Sequence, residues 1–406
     1  MKSSSLGWSS PRSARLAMAL ISIVVVYSIV FSWTSRGAFS SHAATSRITW
    51  SGTEDVDEEL SGLGENAVHQ VTESKSTAAD FGRVSNRTLG FEKVIAIGLS
   101  ERSDKRDALD LMAALSGFDL DWVDGVKASS ISDKAVPFGI QLDQVRDNFL
   151  GSWRGHMNAI RRIVDTGISS ALIMEDDVDW DVHLKLQLND IAHGARQILG
   201  ESSPLPNSPY GDAWDVLWLG HCGEPFPETL EENAGLEGDL KAKMSTKYTI
   251  KDDDTVPPYS QVSHLVDWSA YPAHTRLVHM TAAPICSFAY AISQSAARKL
   301  LYALSVDGLH MAFDNSLAQL CRDAIYDLGR QREGGYRLKC LSVNPTIMFH
   351  HKAKGRLAAD SDIQSYGQGG GVREKGISES IKWSMRLNLK NILTGHALEP
   401  QFEDES

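Results

Sequence analysis

The chain has 406 residues, a formal net charge of −12 at pH 7 and hydrophobic side chains at 42% of its positions. This length and composition can bury a large core, which excludes a small module held together mainly by disulfides or metals. The acidic balance argues against nucleic acid as a partner, because a phosphate backbone requires a basic surface. We therefore expect a globular protein that does not bind nucleic acid.

The first predicted element is an uncharged apolar segment over residues 16–35, about the length needed to cross a bilayer. Basic residues precede it and acidic residues follow it, so we expect a cytoplasmic tail over residues 1–15 and a lumenal remainder. A signal peptide cleaved near Ser41 or Ala43 is the alternative, but the apolar run is long for a signal core. The prediction is a single-pass type II anchor in the Golgi or ER membrane, through which the protein contacts the membrane.

Residues 36–90 are predicted to form a disordered acidic stem. Between positions 49 and 74, acids are mixed with Ser and Gly, and Lys and Arg do not occur. Asn86-Arg87-Thr88 matches the acceptor pattern for N-glycosylation, which agrees with a lumenal location.

All four cysteines follow the apolar segment, and their even number permits two disulfides. We predict a pair between Cys321 and Cys340, with buried free thiols as the alternative. The spacing does not match a zinc site. The four residues are Cys222, Cys286, Cys321 and Cys340.

From residue 91 onward, short apolar runs alternate with helical patterns. Strands are predicted over 93–99, 120–123, 171–174, 215–219 and 287–292, and helices over 103–114, 153–166, 296–304 and 316–327. This alternation predicts an α/β fold with a largely parallel central sheet flanked by helices. Ligands of such sheets bind at the carboxyl ends of the strands, where Asp124, the acids after residue 174 and His221 are expected.

The strand over 171–174 runs into Glu175, Asp176 and Asp177, the most informative motif of the chain. Adjacent carboxylates repel one another and resist burial, so a cluster against a core requires a cation. This motif predicts a divalent metal site. The alternative is a solvated strand end, or a helix N-cap at Asp177 or Asp179.

Two further segments lie outside this alternation. Residues 223–275 are polar and irregular and are predicted to be an insertion, a candidate cover for an acceptor. Their acids at 252–254 are interpreted as a solvated loop. Residues 356–406 are a predicted C-terminal extension, whose amphipathic part at 381–393 either packs back or stays peripheral.

Taken in order, several motifs resemble glycosyltransferase family 25, the lipopolysaccharide and procollagen galactosyltransferase-like group, here as a membrane-anchored eukaryotic member such as a fungal one. The similarity covers about residues 91–355. It departs from the family at Gly98-Leu99, where an Asn-Leu pair is usual, and before His156, where a Ser is typical. The motifs are residues 94–97 with Arg102 and Arg106, residues 122–125, Gly155-His156, residues 172–178 and residues 288–293.

The resemblance implies a single GT-A-like catalytic domain. It also implies inverting transfer of a hexose, with galactose favoured, from a UDP-sugar donor to a glycan or glycoprotein acceptor. A divalent ion such as Mn²⁺ would assist, since a hard cation held by carboxylates neutralises charge on a departing diphosphate.

Metal contact is assigned to Asp177, and to His350, because a late histidine completes the metal site in GT-A enzymes. The alternative is that His350 and His351 are polar surface residues. A base for the acceptor hydroxyl is also required, and Asp314 is the candidate, with an N-cap of the helix over 316–327 as the alternative.

Donor binding is assigned to five residues. Asp176 and Glu175 are candidates for the ribose or for support of the metal ligand, and Arg106 for the phosphates or the base. The role of Arg102 is left open. Asp124 is a candidate for uracil or ribose, with an ordinary Asp-Gly turn as the alternative. His156 is a candidate facing the donor, with a core histidine as the alternative.

Two other functions compete with this interpretation. A metal-dependent phosphohydrolase also places acids at a strand end, although no nucleophilic Asp follows the first strand. A non-catalytic sugar-binding relative would keep the fold without turnover.

Overall fold

The computed structural model describes residues 78–140, 147–203, 205–330, 336–362 and 371–404, which all belong to one compact unit, Glu65–Ser406. The predicted anchor at 16–35 and most of the predicted stem lie outside the described residues. Among the residues that are described, every helix is too short or too polar to cross a membrane.

Thirteen strands are found in these residues, and eight of them build one central sheet. Every strand predicted from the sequence is present within two residues of its expected bounds. The strands are β1 (Lys93–Gly98), β2 (Asp121–Asp124), β3 (Ser170–Glu175), β4 (Val178–Trp180), β5 (Val216–Gly220), β6 (Lys247–Ile250), β7 (Arg276–Met280), β8 (Ala289–Ser293), β9 (Cys340–Asn344), β10 (Met348–Lys352), β11 (Gly355–Arg356), β12 (Val372–Arg373) and β13 (Ile377–Ser378).

The helices cover both faces of this sheet. A π-helical turn, Tyr302–Asp307, extends α6, and the predicted end of α2 is confirmed at Gly117, which has a left-handed φ of 72°. The helices are α1 (Ala78–Val84), α2 (Ser103–Ser116), α3 (Asp147–Thr166), α4 (Leu184–Ile198), α5 (Gly238–Ser245), α6 (Gln294–Leu301), α7 (Phe313–Arg330) and α8 (Met385–Thr394).

The sheet is mixed, in the order β2-β1-β3-β8-β5-β9-β7-β6. The pairs β1–β2, β1–β3 and β5–β9 are parallel and the other four are antiparallel. The predicted α/β fold is therefore present, but the expectation of a largely parallel sheet is wrong. An apolar run predicts that a strand forms but not the direction in which it runs. The structure shows that β8 runs antiparallel to both of its neighbours, β3 and β5.

The segment over 223–275 contributes to the sheet, since β6 pairs with β7 at its edge. The interpretation of its acids as a solvated loop is wrong for Asp253, whose carboxylate lies 2.6 Å from Nε of Arg276. The Arg276 side chain is only 1% exposed, and a buried guanidinium requires a carboxylate partner.

The C-terminal segment packs back onto the domain. Ile381 and Met385 belong to the apolar cluster that also contains Met112 of α2 and Trp180 of β4.

The N-cap alternative for Asp177 or Asp179 is wrong, because the next helix begins only at Leu184.

Both disulfides that the even number of cysteines permits are present. The predicted pair Cys321–Cys340 is confirmed, and Cys222 pairs with Cys286. Disulfides persist in oxidising compartments, so the two bonds suggest a secretory-pathway or extracellular domain.

Candidate functional site

A cleft of about 940 Å³ opens where parallel strands β1, β2 and β3 reach their carboxyl ends. It is lined by Gly98 at the end of β1, by Gly125 directly after β2 and by the acids at the end of β3. His221, predicted to lie at the same edge, is instead buried, with Nε2 3.0 Å from the carbonyl oxygen of Val343. The sheet therefore brings the acidic motif into a cleft but leaves His221 in the core.

Gly98 explains how the acidic motif fits at this position. A Cβ at residue 98 would lie 2.4 Å from Oδ2 of Asp176, which is closer than side-chain carbons approach other atoms. Gly125 also packs closely, since a Cβ there would lie 3.0 Å from the carbonyl carbon of Gly98. The absence of a side chain at Gly98 therefore makes room for Asp176.

Lys105 of α2 lies at the centre of the acidic motif. Its Nζ is 2.8 Å from Oδ2 of Asp177, 3.2 Å from Oδ1 of Asp176 and 2.9 Å from Oδ2 of Asp362. Lys105 is not among the site residues predicted from the sequence. The signal was available, because Lys105 shares the buried face of α2 with Leu109 four positions later.

The two aspartates of the motif differ in their protonation. Burial, together with the charge of Asp177, raises the pKa of Asp176. Burial would also raise the pKa of Asp177, but Lys105 and His350 outweigh it and lower that pKa. Burial alone would lower the pKa of Lys105, whereas Asp177 and Asp176 raise it, so its ammonium stays charged.

Asp177 and His350 could each supply a ligand to a divalent ion. Oδ1 of Asp177 is buried and has no hydrogen-bond partner, while its Oδ2 lies 3.5 Å from Nε2 of His350. Carboxylate oxygen and imidazole are ligands that Mn²⁺ accepts, and one or two side chains plus substrate phosphates form a common set. In the part of the chain that is described, no group of three or more His, Cys, Asp or Glu could hold a metal. An ion bound by these two residues would therefore need its other ligands from water or from a bound molecule.

Arg106 and Asp124 form an ion pair outside the lining of the cleft. The Arg106 side chain also donates to the carbonyl oxygens of Gly98 and Leu99, at 2.6 Å and 3.2 Å. Its guanidinium carbon lies 4.6 Å from the ring centroid of Trp122. Arg106 therefore links the ends of β1 and β2, and it stabilises the wall of the cleft without lining it.

Glu175 and His156 form the floor of the cleft. Oε1 of Glu175 accepts a hydrogen bond from Oγ of Ser287 at 3.0 Å and lies 3.4 Å from Nε2 of His156. His156 is 2% exposed and its Nδ1 lies 3.1 Å from the hydroxyl of Tyr290. Its ring stacks on Phe313 at 4.2 Å. His156 is thus packed like a core residue, yet it reaches the cleft through Glu175.

Asp314 lines the cleft from the first turn of α7. The N-cap alternative is wrong, because the helix already begins at Phe313. Oδ2 of Asp314 accepts a hydrogen bond from the backbone N–H of Cys286 at 2.9 Å. Because Cys286 is bonded to Cys222 and both line the cleft, this disulfide fixes the loop that orients Asp314.

The opening of the cleft is bordered by the turn that follows β11. Arg102, whose role the sequence left open, forms an ion pair with Asp362 of this turn. Arg373 pairs with Asp360 at 2.6 Å, and Nε2 of His350 lies 3.2 Å from the carbonyl oxygen of Asp360. The turn is therefore held beside the acidic motif by cations from α2 and β12.

Comparison with protein-family models finds none that matches this chain.

Proposed function

We propose that the chain is a glycosyltransferase that moves a hexose, with galactose favoured, from a UDP-sugar to a glycan or glycoprotein acceptor with inversion. The observation that carries the proposal is the acidic end of β3 in a large cleft, with Oδ1 of Asp177 buried and unpartnered. A buried carboxylate oxygen without a partner is costly unless a ligand completes it. A GT-A-like arrangement of the domain over residues 91–355 is part of this proposal.

The donor would bind with its diphosphate toward the acidic motif. Asp177 and His350 would hold a divalent ion, with Mn²⁺ favoured, which supplies positive charge to the departing diphosphate. Lys105 supplies a second cation at the same place, 2.8 Å from Asp177. Glu175 and Asp176, which also line the cleft, would position the ribose or sugar hydroxyls.

The acceptor hydroxyl would be activated by Asp314. Its Oδ2 is held by Cys286, and Oδ1 makes no hydrogen bond to the described residues, so it can accept a proton. As the hydroxyl oxygen bonds to the anomeric carbon, its proton passes to Asp314. The bond from that carbon to the phosphate oxygen breaks, and UDP leaves with the electron pair.

The proposed location is the lumen of the Golgi or ER, with residues 16–35 as the anchor. The two disulfides and the N-glycosylation pattern at Asn86 support a lumenal domain. The membrane would then hold the enzyme near acceptors that pass through the same compartment.

A thermal-shift screen of the purified full-length protein tests the proposal. The ligands are UDP, GDP and CMP, each with and without MnCl₂. A ligand that binds only the folded state raises the midpoint of unfolding, so UDP with Mn²⁺ should stabilise the protein and the other nucleotides should not. Indifference to all three nucleotides would contradict the proposal.

Turnover distinguishes the alternatives. The full-length protein should release UDP from UDP-galactose when a glycan acceptor is present, and it should leave phosphomonoesters intact. Cleavage of a phosphomonoester would instead indicate a phosphohydrolase. Binding of sugar without turnover of any nucleotide sugar would indicate a sugar-binding protein.

A further inference from the structure

We infer that Lys105 is a resident counter-cation of the acidic site, and that it makes metal binding depend on the donor diphosphate. The inference deepens the proposed function and rests on it. It concerns a residue that the sequence motifs do not mark, and it predicts an order of binding.

The acids around Lys105 hold its side chain in place. Its side chain rises from the buried face of α2 and is 9% exposed. Nζ lies within 3.2 Å of oxygens of Asp176, Asp177 and Asp362. An ammonium with three carboxylate partners and little water around it is fixed in place, because leaving would uncover buried charges.

In the protein without ligand, the charge of Lys105 opposes the binding of a divalent ion at Asp177. The charges of Asp176, Asp177 and Asp362 are partly compensated before any ligand arrives, by Lys105 and by Arg102, which pairs with Asp362 and also with Asp104. A divalent ion that approaches Oδ1 of Asp177 meets the ammonium on Oδ2 of the same carboxylate, and like charges at such separations repel strongly in a buried site.

The diphosphate of a bound donor would offset the repulsion between Lys105 and a metal ion. A nucleoside diphosphate brings negative charge and several oxygen ligands into the cleft, so both Lys105 and the metal gain a partner. The metal should therefore bind weakly to the free protein and tightly to the protein with UDP. Because such coupling is reciprocal, Mn²⁺ should strengthen UDP binding by the same factor.

The test measures Mn²⁺ affinity directly, by calorimetric titration of MnCl₂ into the full-length protein with and without UDP. Lys105→Met keeps the length of the side chain and removes its charge. The free variant should bind Mn²⁺ at least about tenfold more tightly than the wild type. The gain in Mn²⁺ affinity caused by UDP should shrink accordingly.

Two variants serve as controls. Lys105→Arg keeps the charge and should retain weak Mn²⁺ binding by the free protein. Lys93→Met removes an equivalent charge from an exposed ion pair with Asp121, at the opposite end of β1, and should leave Mn²⁺ affinity unchanged.

Lys105→Met could fail to fold, because it leaves Asp176 and Asp177 without their cation. The comparison is then made in a second background, between Asp176→Asn and the double variant Asp176→Asn/Lys105→Met. Removing Lys105 should again tighten Mn²⁺ binding several-fold. Equal or weaker Mn²⁺ binding without Lys105 in the backgrounds that fold would overturn the inference.

The outcomes separate this inference from the proposed function. If UDP binds the wild type but Lys105 does not affect Mn²⁺ affinity, only the inference fails. If UDP does not bind with or without Mn²⁺, the proposed function fails whatever the Mn²⁺ titrations show.

Discussion

Two pairs of buried aspartates lie within six residues of one another and are stabilised in opposite ways. Asp176 and Asp177 face the cleft and share the ammonium of Lys105. Asp179 and Asp181 face the C-terminal segment and are held by hydrogen bonds. The same residue type therefore serves two purposes along one short stretch of chain.

The hydrogen bonds of Asp179 leave little room for a ligand. Its side chain is 0% exposed and accepts bonds from the hydroxyls of Ser378 and Ser384 and from the backbone N–H groups of Trp180 and Arg386. Burial raises its pKa, and these bonds partly offset the effect. A carboxylate with all its partners inside the protein is structural, whereas one with an unpartnered oxygen in a cleft is a candidate ligand site.

The largest expected effect is on activity, from Asp177→Asn. The amide keeps the shape of the side chain but loses the charge that would hold a divalent ion. We expect hexose transfer from UDP-galactose to fall at least about 100-fold, while the unfolding midpoint stays close to that of the wild type. A variant with full Mn²⁺-dependent transfer would remove Asp177 from the site.

The next effect is on stability, from Asp179→Ala. This change leaves the hydroxyls of Ser378 and Ser384 and two backbone donors without their acceptor. We expect the free energy of unfolding in urea to fall by at least about 4 kcal/mol, because each of the four unpaired groups costs about 1–3 kcal/mol. If the folded variant lost transfer activity as completely as Asp177→Asn, the distinction between the two pairs would be wrong.

A smaller effect on both properties is expected from Gly98→Ala. The new Cβ would lie 2.4 Å from Oδ2 of Asp176, so the carboxylate must move. We expect transfer to fall about tenfold and stability to fall by about 1–3 kcal/mol, as for other overpacked sites. Gly82→Ala, where a Cβ meets nothing within 4 Å, is the matched control. Equal behaviour of the two variants would show that Asp176 is not confined by Gly98.

The smallest expected effect is on the pH dependence of stability, and it concerns a third buried carboxyl, Glu224. Its Oε1 lies 3.3 Å from Nε2 of His279, and neither residue lines the cleft. Burial raises the pKa of Glu224 from 4.5 to about 8. Its contribution to stability is therefore complete below pH 4.5 and is lost as the pH rises toward 8.

Thermal unfolding of Glu224→Gln at several pH values measures this contribution. Between pH 5 and 8 the stability of the variant should depend less steeply on pH than that of the wild type. Burial lowers the pKa of His279 to about 3, so loss of stability at acidic pH should remain in both proteins. Parallel curves above pH 5 would show that Glu224 is already ionised in the folded protein.

Much of the first half of the domain could be predicted because its signals are local. The apolar run of β3 and its acidic end lie next to each other in the sequence, and Gly117 marks the end of α2 by its conformation. Periodicity and turn residues suffice for such elements.

The remainder depends on distant contacts that periodicity does not encode. Asp362 reaches Lys105 across 257 positions, and Ser384 reaches Asp179 across 205. The direction of β8 is likewise set by its neighbours in the sheet. The only local sign of the cation at the acidic site was a lysine, Lys105, on the apolar face of a helix. That sign can be interpreted only when the acids at the end of β3 are known to lie beside this helix face.

The most direct test of the central claim is calorimetric titration of UDP into the full-length wild type, Asp177→Asn and Asp179→Asn, each with and without Mn²⁺. The account predicts that Mn²⁺ strengthens UDP binding at least about tenfold in the wild type and in folded Asp179→Asn, and not in Asp177→Asn. Two results would contradict it. One is a wild-type affinity for UDP that is the same with and without Mn²⁺, and the other is an affinity of Asp177→Asn for UDP that Mn²⁺ still strengthens as in the wild type.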